Sequence, residues 1–254
     1  MITSLLLVGL LGLPHPAPSP QKVAPAPSTA PTSPPARVRT PSAKPVAGEI
    51  RFGEREKLFN GKDLDGWKPF LPNGEDPKGT WSVKDGVLIC VGQPIGYLRT
   101  EKTYENFELE VEWRFDPEKG PGNSGVLLRV QPPDEVWPKS IEAQLHSGNA
   151  GDIWNIGEFP MTATPARTEG RRTRKEHASS EKPLGDWNRY RIVMNGGELK
   201  LFVNNVLQNA AYRCEVVPGF IALQSEGAHI EFRKVDLRPI LAASSPSAGN
   251  ATAD

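Results

Sequence analysis

The chain has 254 residues, and its 30 Lys plus Arg balance 30 Asp plus Glu, so the formal net charge is zero. That balance removes any whole-protein electrostatic case for nucleic acid, whose phosphates require concentrated positive charge. Two distant cysteines, Cys90 and Cys214, give no metal-ligand pattern.

Residues 1–20 are predicted to be a signal peptide. The apolar run over residues 2–13 is too short to span a bilayer comfortably and suits an export h-region, although the usual basic n-region is missing. Residues 21–47 are rich in Pro, Ala, Ser and Thr, cannot bury a core, and are expected to form a disordered linker. Residues 48–240 form the folded domain, and 241–254 a small, polar, disordered tail. The chain is therefore expected to be exported (periplasmic, cell-surface or secreted) without a stable membrane span. Export would permit a disulfide, but Cys90 lies in the apolar run Val87–Val91, where a buried free thiol is favoured.

Short runs of β type recur along the body: Trp81–Val83, Val87–Val91, Tyr97–Thr100, Phe107–Phe115, Gly125–Val130, Ile141–His146, Tyr190–Met194, Glu198–Val203, Phe220–Gln224 and Ile230–Leu237. Asp85-Gly86, Asn195-Gly196-Gly197 and Asn204-Asn205 read as hairpin turns. Broken alternation at Lys234-Val235 suggests a bulge. No segment has convincing helical periodicity. The expected fold is all-β, a two-sheet antiparallel jelly-roll sandwich. Trp67, Trp81, Trp113 and Trp187 are expected in its core.

Phe107–Phe115 alternates apolar and charged residues without a break, and Ile141–Leu145 places a carboxylate and an amide on one strand face. Such a face is costly to cover with protein but suits water or a polar ligand, and polar sheet faces commonly bind sugars. Residues 147–183 hold few strand signals and read as long loops that border a site. Within them Arg167, Arg171, Arg172, Arg174 and Lys175 cluster, but Glu169 and Glu176 are interspersed and no aromatic residue interleaves, so a solvated loop is favoured over an anion-binding patch.

Leu58-Phe-Asn-Gly-Lys-Asp-Leu-Asp-Gly-Trp67, Trp81-Ser-Val-Lys-Asp-Gly-Val-Leu88, Phe107–Arg114, Asn123-Ser-Gly125, Glu142-Ala-Gln144, Gly185-Asp-Trp-Asn188, Leu223-Gln-Ser-Glu-Gly227 and Ile230–Leu237 occur in that order. Together they resemble the 3-keto-disaccharide hydrolase domain family, once known only as a domain of unknown function, with a concanavalin-like (laminin-G-like) jelly roll. The resemblance spans residues 57–238 and implies an exported hydrolase or lyase acting on oxidised glycosides or disaccharides. Relatives often carry Asp-His-Gly where this chain has Ser225-Glu226-Gly227, an exchange that alters proton-transfer capacity.

A ketone at C3 of a pyranose acidifies the C2 hydrogen, so the group at C1 can leave by elimination, followed by addition of water. The route needs a base near C2, a cation or donor at the C3 oxygen, and an acid near the leaving group. A conventional glycosidase instead needs two carboxylates about 5–9.5 Å apart, and the residues available suit either scheme. Glu142 is the first candidate for the base and His146 for a proton-transfer partner. Arg114 or Arg129 would steady the enolate oxygen. Glu112, Asn123, Gln144, Gln224 and Glu226 would hold substrate hydroxyls. Trp154, and Trp137 near it, could stack on a sugar ring. For Glu108 and Glu110 an ordinary solvent-facing ladder of Glu–Arg pairs is preferred. No cofactor is predicted, and a divalent metal is left open with no ligand spacing to support one. The alternative function is a non-catalytic carbohydrate-binding module, because this fold class serves both roles.

Overall fold

The computed structural model describes residues 50–241. The expected signal and linker, and all but the first residue of the expected tail, lie outside that range. In chain order the strands are β1 (Arg51–Phe52), β2 (Glu56–Lys57), β3 (Trp67–Phe70), β4 (Trp81–Lys84), β5 (Val87–Cys90) and β6 (Gly96–Thr100). Then come β7 (Phe107–Phe115), β8 (Gly125–Val130), β9 (Ser140–Gln144), β10 (Ile153–Ile156), β11 (Thr162–Ala163), β12 (Thr168–Glu169) and β13 (Arg172–Thr173). The last five are β14 (Asn188–Asn195), β15 (Glu198–Val203), β16 (Val206–Tyr212), β17 (Phe220–Ser225) and β18 (Ile230–Leu241).

They form two antiparallel sheets. The first runs β11-β16-β15-β14-β7-β18-β5-β4, with β1 and β2 also on β18; the second runs β12-β13-β10-β9-β8-β17-β6-β3. The expected all-β jelly-roll sandwich is what forms. Its main core comes from the alternation: Phe107, Leu109, Val111, Trp113 and Phe115 of β7 point inward with Tyr190, Ile192 and Met194 of β14. From the second sheet Val126, Leu128, Ile141, Ala143, Ile221 and Leu223 meet them. Asp85 (φ 51°) with Gly86 (φ 79°), and Asn204 (φ 48°) with Asn205 (φ 71°), are left-handed, as two-residue hairpin turns require. The bulge lies where expected, between Phe232 and Lys234 in the β7–β18 register.

Several elements differ from the sequence expectation. β3, β10 and β16 were not expected as strands: β3 and β10 are short, and Val206-Leu-Gln-Asn-Ala-Ala-Tyr212 lacks alternation. Segment 147–183, expected as loop, contributes β10 to β13. Buried amides of β16 anchor it: Asn209 Nδ2 donates to Gly151 O and Thr173 O, and Gln208 Nε2 donates to Ala178 O. Trp187 is half-buried rather than core, with the Arg114 and Arg233 guanidinium carbons 4.6 and 4.7 Å from its ring centroid. Cys90 and Cys214 are both buried free thiols. Among the described residues no helix is long and apolar enough to cross a membrane.

Candidate active site

The outer face of the second sheet has two halves. One is apolar: Tyr97, Leu127, Val130, Ile156 and Ala222 form a second cluster with Phe70 and Phe220 packed on it. The β8–β9 connection folds back over it through Asp134, which accepts from Arg99 Nε (2.8 Å), Arg99 Nη2 (3.0 Å) and Tyr97 Oη (2.9 Å). The Arg99 guanidinium holds the Asp134 carboxyl below its ordinary range. That latch leaves the neighbouring polar half to carry the site.

There, β9 presents Glu142 and Gln144 on one side of the strand, because residues two apart share a face. Glu142 pairs in register with Trp154 of β10 on one flank and Leu127 of β8 on the other. Gln224 ends β17 beside them, and Glu226, two residues on, keeps to the same face. Gly125 lies between: a Cβ there would stand 2.6 Å from Glu142 Oε1 and would also collide with Gln224 Oε1. Any side chain at 125 would therefore displace the Glu142 carboxyl.

Glu142 is 5% exposed, and its Oε1 has no hydrogen-bond partner. The same holds for both amide atoms of Gln224, Oε2 of Glu226, Oδ1 of Asn123 and Nε1 of Trp154. Six of the fourteen such atoms among the described residues belong to these five residues. Buried polar atoms without partners are costly, and a polar ligand would satisfy them. Burial pushes the Glu142 carboxyl up to about 8, with the negative charge of Glu226 adding to the effect; Arg171 and the nearby Gln224 amide only partly oppose it. Glu226 is also raised, by burial, again against Arg171. Two neighbouring carboxyls with raised proton affinity, Glu142 the more strongly shifted, fit proton transfer.

The structure brings together Glu142, Gln144, Trp154, Gln224 and Glu226, with Asn123 two residues before Gly125 on the same alternation. The Gln144 oxygen is occupied, accepting from Leu145 N and His146 N at 2.9 Å each. The other expected site residues lie elsewhere. β7 belongs to the first sheet, so Glu112 and Arg114 point outward on the far side of the sandwich, where Glu112 pairs with Arg233 and Arg114 Nε donates to Glu231 at 2.6 Å. Arg129 is fully buried, and its guanidinium donates to the carbonyls of Glu105, Gly196 and Glu215, which makes it a backbone clamp. His146 is exposed, because β9 ends at Gln144 and the chain turns; its ring Nδ1 is 2.9 Å from Ser147 O and 3.0 Å from Asn149 Nδ2. Trp137 is 39% exposed on the β8–β9 connection.

Arg171, expected in a solvated loop, is the cation that faces the carboxylate pair. Its signal in the sequence was the basic cluster, in which its neighbours find acids: Arg172 pairs with Asp152, Arg174 with Glu169 and Arg167 with Glu176. Arg171 also borders a cleft of about 1010 Å³ shared with Asn155, Phe159, Met161, Thr168 and Thr173. Among the described residues no group of three or more His, Cys, Asp and Glu is placed to hold a metal ion.

Comparison with solved structures gives the same architecture. Two proteins from Parabacteroides distasonis ATCC 8503, both described provisionally as glycosyl hydrolases, align with TM-scores of 0.55 and 0.54 at 22% and 20% identity; each alignment covers 74% of this chain, and 94% and 100% of theirs. A β-glucanase from Bacillus licheniformis aligns with a TM-score of 0.50 at 14% identity, over 78% of this chain and 100% of that one. At these identities the likeness speaks to fold alone. No functionally curated protein is similar enough to match. Residues 54–238, nearly the whole described body, match the 3-keto-alpha-glucoside-1,2-lyase-like domain, and the chain belongs to that family.

Proposed function

We propose that this protein cleaves the glycosidic bond of 3-keto-glycosides by elimination on the outer face of the second sheet. The observation that carries this proposal is buried Glu142 and half-buried Glu226 around Gln224, each with a carboxyl oxygen that has no hydrogen-bond partner among the described residues, the Glu142 carboxyl pushed up to about 8. Glu142 takes the C2 proton, and the C–H electron pair moves through C2–C3 onto the ketone oxygen to give an enolate. The enolate collapses to restore the ketone, a C1=C2 double bond forms, and the C1–O bond breaks. Glu226 gives its proton to the departing oxygen. Water then adds at C1 with a proton returned to C2, so that the net change is hydrolysis. A base that titrates near 8 is stronger than an ordinary carboxylate yet still partly ionised at neutral pH, which suits removal of a carbon-bound proton. Gln224, Asn123 and the amide nitrogen of Gln144 bind hydroxyls, and Trp154 lines the sugar ring.

The family match and the glycosyl-hydrolase descriptions of the Parabacteroides distasonis structures support a carbohydrate substrate. A purely binding surface has no need of two carboxyls with raised proton affinity, which favours catalysis over a carbohydrate-binding module. The test is incubation of the purified protein with a 3-keto-glucoside and with the unoxidised glucoside. Release of aglycone from the first and not the second is expected; sugar affinity without turnover on either would overturn the proposal in favour of the binding module. We also propose export, carried by the apolar run at residues 2–13. Finding the protein inside the cytoplasm after fractionation of the producing cells would refute it.

A further inference from the structure

The elimination needs a positive partner for the oxygen that becomes an enolate, and the two arginines expected from the sequence to supply it are elsewhere. Arg171 occupies the tip of the β12–β13 hairpin, after Gly170 (φ 57°). Its backbone oxygen accepts from Asn155 N at 2.8 Å, which ties the tip to β10. Its guanidinium carbon lies 5.4 Å from the ring centroid of Trp154, the cross-strand partner of Glu142. Arg171 is exposed, and among the described residues its guanidinium makes no ion pair or hydrogen bond, so its donors are free for a ligand.

The root of the hairpin is fixed. Asp152, 1% exposed, accepts from Arg172 Nε (2.7 Å) and from Lys175 N (2.8 Å), and Arg172 Nη2 lies 2.6 Å from the same carboxylate. Both Arg172 nitrogens meet one Asp152 oxygen, Nε as a hydrogen bond and Nη2 as an ion-pair contact, which together hold the guanidinium against the buried carboxylate. Arg171 is thus a cation on a rigid arm, stacked on the aromatic wall of the site.

We propose that Arg171 is the catalytic cation of this site, its guanidinium binding the ring-ketone oxygen and stabilising the enolate formed there, with the Arg172–Asp152 pair as its positioning element. This rests on the elimination proposed above. A planar guanidinium offers two parallel N–H donors to an oxygen whose charge grows in the transition state, an interaction stronger there than in the ground state. Arg171 opposes the upward shift of both Glu142 and Glu226, so its charge reaches both carboxyls.

The experiment pairs kinetics with carboxyl titration on the full chain. With a 3-keto-glucoside, Arg171→Gln is expected to lower kcat by about 10²–10³-fold with a smaller change in KM, and Arg171→Lys to recover part of the loss. By carbon NMR of glutamate carboxyls, with the Glu142 signal identified by its loss in Glu142→Gln, Arg171→Gln should move the Glu142 titration upward by about half a unit or more. Arg172→Lys keeps a charge against Asp152 but loses the second guanidinium contact; an upward shift of Glu142 smaller than that in Arg171→Gln is expected, with the Arg172 guanidinium carbon itself 5.8 Å from the Trp154 ring centroid. If the wild type is active and Arg171→Gln keeps kcat within about twofold, the assignment of Arg171 fails while the elimination stands. If the wild type leaves 3-keto-glucosides intact, the elimination itself fails. The titration still decides on Arg171: an unmoved Glu142 overturns its place as the cation of the site.

Discussion

The two outer faces of this sandwich are both lined with glutamate, and they differ in what stands opposite. On the first sheet Glu108 meets Arg191 and Arg238, Glu110 meets Arg189 and Lys234, and Glu112 meets Arg233. Burial alone would push the Glu110 carboxyl up, but the bonds from Lys234 and Arg189 hold it below its ordinary range. On the second sheet Glu142 and Glu226 have no ion-pair partner among the described residues and are both raised. The same residue type on the same kind of strand stays ionised where cations are bonded to it and gains proton affinity where burial goes unopposed by a bonded cation.

The largest expected effect separates the faces directly. Glu142→Gln should lower turnover of a 3-keto-glucoside by about 10²–10⁴-fold, measured under saturating substrate; activity close to wild type would remove Glu142 from the mechanism. Gly125→Ala comes next. Its new Cβ displaces the Glu142 carboxyl and the Gln224 amide, both ends of flexible side chains, so a fall in kcat of about 10²-fold is expected with a circular-dichroism spectrum like the wild type. Wild-type kinetics in that variant would show that the crowding at Gly125 is relieved without cost to the site.

The pH dependence of activity is a further discriminator. As a base Glu142 works deprotonated while Glu226 works protonated, so kcat/KM should be bell-shaped, its rising limb set by Glu142, which burial has moved to about 8. Glu226→Gln removes the negative charge that helps raise Glu142, so any residual activity should level off at lower pH. In that variant a profile that falls through the same range would instead make Glu142 the acid.

Stability follows the same group with a definite sign. Folded Glu142 holds its proton up to about 8 against an ordinary value of 4.5, so its contribution is complete below 4.5 and is lost as pH rises through about 8. The loss is on the order of a few kcal/mol, visible as a fall in urea midpoint between pH 5 and 9 that Glu142→Gln flattens. The smallest effect belongs to the other face. Glu112→Gln should change stability by about 1 kcal/mol or less and leave turnover within about twofold. A large loss of turnover would break the contrast between the faces.

Much of this molecule could be read without coordinates. Alternation in Phe107–Phe115 and Ile141–Leu145, together with the Asp85-Gly86 and Asn204-Asn205 turns, indicated the strands, and ordered motifs from Leu58 to Leu237 indicated the family. The sequence names Glu142, Gln224, Glu226 and Trp154, which the fold brings to one face, whereas Arg171 reads as part of a solvated loop because Glu169 and Glu176 are interspersed in its basic cluster and no aromatic residue interleaves. That segment is ordered by long-range bonds from Asn209 and Gln208, which leave no local trace.

What the sequence determined by itself is therefore the period: which side chains of a strand leave the sheet together. A period of two does not say which sheet a strand joins or what faces it. Glu112 and Glu142 look alike along the chain, yet one lies against Arg233, 121 positions away, and the other beside Trp154 and Gln224 with no cation bonded to it. Only the tertiary structure decided that difference, because the energy of a buried carboxylate depends on partners brought to it by folding.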